Sequence, residues 1–312
     1  MKTRKTIAGL MCLTVITTCI ASFIFTGCGI FGFKIDEETF PDDTFRNYII
    51  DNYDRNKDNF IEADQLEFIT GFYLKECRNL QGIEKFTNVK TLDLTRCSDL
   101  SAIESLSNLS ALYLTDCKDV TLDFRKFPNL TTLKITNCQI SVDIDLSDFA
   151  MIKNIEIVDS SVKNLTLKNC EIFNKLYIHD SSADKIDIAN CPVLNHITAK
   201  NVKNLSSVIV EDCPKMVSAS VIDCPQVSEL ALRKCTGLMN ISIIRCLVKE
   251  VDVRGCQYIW EVFNTPDALK VIEAAVRPEN VIYCVSTDPK IKELNLPQIR
   301  IECPPDVTFI TR

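Results

Sequence analysis

The sequence predicts a β-rich repeat solenoid, wound in coils of about 21 residues with strands on two sides and closed at its N-terminal end by a small helical cap. Three observations carry that prediction. From residue 92 onward, apolar–x–apolar triplets recur in two interleaved series. One begins at Leu92, Leu112, Leu133, Ile155, Leu176, Ile197, Ala219 and Ile241; the other begins at Leu122, Ile144, Leu165, Ile186, Val208, Leu230 and Val251. Three residues past each triplet stands a small or apolar group, most often cysteine, as at Cys235, Cys246 and Cys256. The composition is that of a chain with ample core, 46% hydrophobic and 25% charged, yet it holds 16 Cys against 8 Gly and 2 His. A fixed period of this length describes coils that bury their apolar side only against the coils above and below.

Residues 1–27 stand apart. Lys2, Arg4 and Lys5 precede an apolar run from Thr6 to Phe25, which ends in Thr26-Gly27-Cys28-Gly29. A basic head, an apolar middle and a small-residue end form an export signal, to be kept out of the fold. The ending "FTGC" resembles the lipobox of bacterial lipoproteins, which implies cleavage before Cys28 and a lipid on that residue. A run of about 20 apolar residues would also span a bilayer if it were retained. Either way the remainder is tethered at the extracellular face of the cell membrane. The formal charge of −7 includes +3 from this segment, leaving −10 for residues 28–312. An acidic body without basic runs excludes nucleic acid as a partner.

Residues 28–71 read as a lipid-attachment linker followed by a helix–loop–helix cap. Asp42 or Asp43 caps a helix that carries Phe45, Ile49, Ile50 and Tyr53 toward the core. Asp54, Asn56 and Asp58 then alternate, and the stretch resembles an EF-hand calcium loop. That resemblance implies ligands from Asp54, Asn56, Asp58, the carbonyl of Phe60, Glu62 and Gln65. The sequence departs from it at Asn59, where Gly is expected, and at Gln65, where a bidentate Glu belongs. A neutral amide weakens calcium binding, so the loop is either a weak calcium site or simply a lid on the end coil, which every solenoid needs. No other cofactor is required.

Residues 72–260 form the solenoid. Along each strand alternate residues point to opposite faces, so the outer members of a triplet turn inward and the middle one faces water. The residue three further on lies at the corner where the strand leaves, and cysteine suits it as a compact, weakly polar group. Pro192, Pro214 and Pro225 directly follow ladder cysteines and mark strand ends. Stacking brings ladder cysteines near 5 Å apart, close enough for disulfides in an exported protein. Parallel side chains on a stack favour buried free thiols instead. A metal site is the third reading, although no C-x-x-C spacing occurs. Residues 261–312 form the C-terminal cap: Trp260 and the segment to Val276 close the core, and Pro304-Pro305 ends the regular structure.

The stretches "LDLTRC" (92–97) and "LYLTDC" (112–117) resemble the leucine-rich repeat, and "GIEKFTNVKTLDL" (82–94) is similar to the entry of the short, internalin-like repeats of bacterial surface proteins. The rhythm after residue 150 is similar to surface repeats with strands on both sides of the coil. Cysteine replaces the family's asparagine ladder, and there is no room for a long helical convex side. The resemblance implies a non-enzymatic protein that binds through its exposed sheet face.

The chemistry-bearing residues point the same way. No G-x-S-x-G, H-E-x-x-H or glycine-rich phosphate loop occurs. His179 and His196 fall four strand positions apart, about 13 Å, too far to share a metal. Asp123, Asp145, Asp187 and Asp252 face outward beside Arg125, Lys168, Arg233 and Arg254, which reads as an ion-pair ladder. The candidate binding residues are Tyr113, Lys134, Glu156, Tyr177, His179 and Lys200, on a sheet about 35–40 Å long. The expected partner is another protein or a surface glycan. The alternatives are an extracellular carbohydrate-active enzyme on a β-solenoid, or a calcium-stabilised structural module.

Overall fold

The computed structural model describes residues 32–259, 272–276, 281–285, 300–304 and 306–311. The signal segment, Cys28 and Trp260 lie outside these residues. An N-terminal cap consists of β1 (Phe33–Lys34), α1 (Asp43–Tyr53) and β2 (Phe60–Ile61), with β1 and β2 antiparallel. Nine coils follow. Their front strands are β3 (Gly71–Lys75), β4 (Thr91–Thr95), β5 (Ala111–Thr115), β6 (Thr132–Thr136), β8 (Asn154–Val158), β10 (Lys175–His179), β12 (His196–Lys200), β14 (Ser218–Ile222) and β16 (Asn240–Ile244). All nine pair in parallel and in register.

The back strands are β7 (Ile144–Asp145), β9 (Asn164–Lys168), β11 (Lys185–Ala189), β13 (Ser207–Glu211), β15 (Glu229–Arg233) and β17 (Glu250–Asp252). Near the C-terminus, β20 (Arg300–Cys303) continues the front sheet in parallel. β18 (Ile272–Val276) and β19 (Val281–Val285) extend that sheet antiparallel. β21 (Thr308–Ile310) joins the back sheet beside β17, so regular structure continues past Pro304-Pro305, contrary to the sequence expectation. After β20 the chain crosses to the other sheet and pairs again as β21.

Strand burial alternates as the triplets require. In β4, Leu92 and Leu94 are buried while Thr91, Asp93 and Thr95 are not, and the same alternation runs through β5, β6 and β8. The second series of triplets, however, does not begin as strand. The backs of the first coils are 3-10 turns at Ile83–Lys85, Ser101–Ser105 and Phe124–Lys126. Their buried residues are three apart (Ile83 and Phe86, Ile103 and Leu106, Phe124 and Phe127), which is the period of that turn. Leu122 is buried as expected, but the preceding coil offers no back strand for it to pair with. The back sheet therefore starts one coil later, at Ile144.

Each corner is built from two consecutive residues. The first has left-handed backbone: Glu76, Arg96, Asp116, Asn137, Asp159, Asp180, Asn201, Asp223 and Arg245 follow the front strands, and Asp148, Asn169, Asn190, Asp212, Lys234 and Gly255 follow the back ones. Asp, Asn and Gly tolerate this conformation best, and they fill eleven of the fifteen positions. The four exceptions all pair with the left-handed residue of a neighbouring coil: Arg96 with Glu76 (2.5 Å), Lys234 with Asp212 (3.0 Å) and Arg245 with Asp223. Stacked amides do the same elsewhere, as where Asn190 Nδ2 donates to Asn169 Oδ1 (2.9 Å).

The second corner residue is the ladder group, turned inward. Its side chain donates back to the strand carbonyl two residues earlier, from Cys117 to Thr115 (3.4 Å) and from Ser160 to Val158 (2.7 Å). Its backbone N–H donates to the ladder group of the next coil, from Cys117 to Cys138 Sγ (3.3 Å) and from Cys138 to Ser160 Oγ (3.0 Å). Cysteine thus acts as a small apolar filler that also satisfies buried backbone groups. Twelve cysteines, Cys303 and those from Cys77 to Cys256, are free. Burial pushes the Cys303 thiol up to about 11, and in the stack the hydrogen bond to Cys191 together with burial pushes Cys170 up as well. Protonated, buried thiols are poor nucleophiles at neutral pH.

The cap is fastened by one carboxylate. Asp42 Oδ1 accepts from the N–H of Phe45 and caps α1 (2.8 Å), while Oδ2 accepts from the N–H groups of Arg78 (2.7 Å) and Asn79 (3.3 Å) in the first coil. Phe33, Phe40, Phe45, Phe72 and Phe86 pack edge to face beneath it. Gly82 has left-handed backbone and lies against Phe40, where a Cβ would come within 2.4 Å of the ring. No described helix is long and apolar enough to cross a membrane.

Two middle residues of back triplets are buried instead of facing water: Ala231 and Asp252, which are opposite each other. Arg233 Nε donates to Asp252 Oδ2 (2.6 Å), and Arg254 donates to both carboxylate oxygens (2.8 and 2.6 Å). Those hydrogen bonds, from Arg254 and then Arg233, hold the Asp252 carboxyl well below the usual carboxylate range. A depressed folded-state pKa contributes stability above the unfolded value, about 3.9, and that stability is lost as the pH falls through the folded value. Asp252→Asn should therefore cost about 1–3 kcal/mol at pH 7. In denaturant melts the deficit should shrink as the pH is lowered below about 4.

Candidate binding face

The register of the front sheet turns the outward side chains into straight rows. The middle row runs Tyr73, Asp93, Tyr113, Lys134, Glu156, Tyr177 and Thr198, one residue per coil. The row toward the strand ends runs Lys75, Thr95, Thr115, Thr136, Val158, His179 and Lys200. Four of the residues singled out from sequence, Tyr113, Lys134, Glu156 and Tyr177, are thus consecutive neighbours. His179 and Lys200 are opposite each other in the next row.

Short contacts organise the centre. Lys134 Nζ is 3.1 Å from Glu156 Oε1. The rings of Tyr177 and His179 stack with centroids 5.8 Å apart and planes 6° apart. His179 Nδ1 lies on the Asp180 carboxylate, which also accepts from Asn201 Nδ2. Tyr113 and Tyr177 are half-buried, whereas Tyr73 is 67% exposed. Sequence reading missed Tyr73 because the triplet series was counted from Leu92. The signal was present in "FYLKEC" (72–77), which has the spacing of the later repeats. The structure also brings His196 opposite Lys175, a pairing that no local spacing announces.

The carboxylates considered for catalysis are engaged elsewhere. Asp187 pairs with Lys168 of the preceding back strand (3.3 Å), Asp123 with Arg125 of its own coil (2.9 Å), and Asp145 Oδ1 accepts the N–H of Ser147 (3.0 Å). Of the expected cross-coil ladder, Lys168–Asp187 and Arg233–Asp252 link coils, while the pairs made by Arg125 and Arg254 are local.

The loop that resembles a calcium site closes largely on itself. Asp54 is buried, and its two oxygens accept the N–H groups of Asp58 (3.2 Å) and Asn59 (3.0 Å). Lys57 and Asn59 have left-handed backbone, so Asn59 does serve where glycine is usual. Asn56 Nδ2 bridges Asp58 (2.9 Å) and Glu62 (3.3 Å). Phe60 lies in β2, which pairs with β1. Gln65, at the position that would complete a calcium shell, turns its Oε1 to the N–H of Glu62 (3.1 Å). Among the described residues no three His, Cys, Asp or Glu side chains gather as a metal site. Asp54, Asn56, Asp58, Glu62 and Gln65 therefore fit a hydrogen-bonded turn better than a cation shell.

Residues 40–162 match the family described as the Endo-beta-N-acetylglucosaminidase EndoS LRR domain. Among solved structures, an internalin (inlF) from Listeria monocytogenes str. 4b F2365 is similar at 15% identity over 70% of this chain and 84% of that chain, with a TM-score of 0.33. The functional domain of InlJ from Listeria monocytogenes, which includes a cysteine ladder, is similar at 13% identity over 89% of this chain and 99% of that chain, with a TM-score of 0.31. No curated protein matches in sequence.

The loop geometry gives one expected outcome. Asp54→Ala removes the charged acceptor of the Asp58 and Asn59 N–H groups and should destabilise the cap by about 1–3 kcal/mol in calcium-free buffer, read by chemical denaturation.

Proposed function

Taking the chain as a leucine-rich repeat solenoid, we propose that it is an exported, membrane-tethered protein that binds another protein through its front sheet. The observation that supports this reading most strongly is the unbroken middle row from Tyr73 to Tyr177, with three tyrosines standing among charged residues on a rigid parallel sheet. Aromatic side chains dominate protein interfaces because they bury large area at low conformational cost. A flat face of nine strands is also long enough for an interface of standard size, about 800 Å² per partner. The tether is inferred from "FTGC" and the basic, apolar segment before it. For the 54–65 loop we propose a structural role in closing the cap; a one-to-one calcium isotherm that Asp58→Ala abolishes would sink this.

Two measurements test the reading. The exported chain, offered to immobilised cell-surface proteins, should bind, and Tyr113→Ala with Tyr177→Ala should weaken binding at least tenfold. Loss of binding after glycosidase treatment but not after protease treatment would reassign the face to a glycan. Metabolic labelling with a clickable fatty acid should mark the wild-type chain, and Cys28→Ala should abolish the label while unprocessed precursor accumulates. A labelled Cys28→Ala chain would place the lipid elsewhere.

A further inference from the structure

We propose that the strand pair β10 and β12 is the docking point for an extended, carboxylate-bearing segment of the partner protein, a proposal that rests on the front sheet being the binding face. Parallel pairing sets Lys175 opposite His196, Tyr177 opposite Thr198 and His179 opposite Lys200. Four of these six outward positions are lysine or histidine, and none is a carboxylate. The rest of the molecule has the opposite character, since residues 28–312 carry −10. A basic spot on an acidic body attracts an acidic segment at one place and repels it elsewhere, which gives both a site and a register.

Three carboxylates that border the patch are already engaged. Glu156 pairs with Lys134, Asp180 with His179 and Asn201, and Asp223 with Arg245. Lys200 contributes to lowering the Asp223 carboxyl from a distance, but neither Lys175 nor Lys200 has an ion-pair partner within 4 Å among the described residues. Both lysines and His196 are exposed. The patch therefore offers two lysines free to meet anionic groups.

Spacing narrows the ligand. Outward residues recur about every 6.7 Å along a strand, so the Lys175–His196 pair and the His179–Lys200 pair stand about 13 Å apart, with Tyr177 and Thr198 between them. An extended peptide lying along the strands places residues i and i+4 at the same separation. The matching segment is thus acidic–x–apolar–x–acidic, with its carboxylates over the two basic pairs and its central side chain on Tyr177. A glycan fits less well. Sugars stack on open aromatic faces, and here the Tyr177 and His179 faces are turned to each other at 5.8 Å.

The probe is a fluorescent peptide repeating Glu-Ser-Leu-Ser-Glu, with a Gln-for-Glu version as control, followed by anisotropy with the exported chain. The Glu peptide should bind at low ionic strength, weaken at least tenfold between about 50 and 200 mM salt, and lose at least tenfold with Lys175→Ala and Lys200→Ala together. Ser220→Ala with Ser242→Ala, further along the face, should change nothing. The proposal fails if the Glu peptide does not bind at low salt, if the Gln peptide binds equally, if the lysine variant is unaffected, or if a heparin oligosaccharide binds more tightly. A natural partner that is lost with Tyr113→Ala and Tyr177→Ala but keeps full affinity for the lysine variant would overturn this proposal while leaving the binding face intact.

Discussion

The corner is the constraint on which the rest of the structure depends. After five residues of strand the backbone must turn within one residue, and it does so through left-handed conformation, which costs about 1–2 kcal/mol per non-glycine residue. The next residue must then enter the core without pushing the neighbouring coil away. That limits it to a small group, and because it stands where the strand ladder ends, it also has to meet backbone groups that have lost their strand partners. Cys138, Ser160 and Ser181 meet both demands through the same pair of contacts, to the strand carbonyl behind and the N–H of the adjacent coil. Val202 meets only the first, and it stands alone among the front ladder positions in carrying no polar side-chain atom.

Seen from that corner, the cysteine content has a structural cause. A thiol is close to serine in size but far cheaper to bury, and it still donates and accepts weakly. A stack of thiols therefore fills two edges of the core without the desolvation cost that a full row of hydroxyls would incur. The same burial pushes the Cys303 thiol up and adds to the rise at Cys170. Outside, the left-handed residues stack in parallel with the inner ladder, and acid, amide and cation alternate so that neighbours attract. Glu76, Arg96 and Asp116 form such a run, and Arg245 with Asp223 another. Individually these surface pairs contribute little. Their regularity explains why Glu, Arg and Lys are tolerated at four positions where Asp, Asn or Gly would relieve the backbone.

The period, the two-sided coil, the inward cysteines and the helical cap were all legible in the sequence, because each is a repeated local pattern. What was not legible depends on neighbours remote in sequence. Leu122–Asp123–Phe124 reads as a strand triplet, yet the coil before it offers no strand, because Ile103 and Leu106 there are spaced for a 3-10 turn. Asp252 reads as a surface carboxylate, yet Arg233 and Arg254 close over it. The left-handed residues before each cysteine could have been read, since "TDC", "TNC" and "EDC" repeat Asp or Asn at one position. The stacking of Tyr177 on His179 and the pairing of Lys175 with His196 required the register itself.

A solenoid of this kind separates stability from recognition more cleanly than a compact fold. Inward positions and corners are fixed by stacking, whereas the outward positions of the front strands carry almost no burden beyond strand propensity, which threonine satisfies at Thr95, Thr115 and Thr136. Side chains there that are larger or charged are accordingly the informative ones. On a flat, rigid sheet no closure can improve a poor match, so affinity must come from rows aligned in advance, and ordering costs on this side of the interface are small. Selectivity then rests on contrast. In a strongly acidic body, two exposed lysines on one strand pair, Lys175 and Lys200, change the local potential more than they would on a neutral surface, and the repulsion around them orients whatever docks.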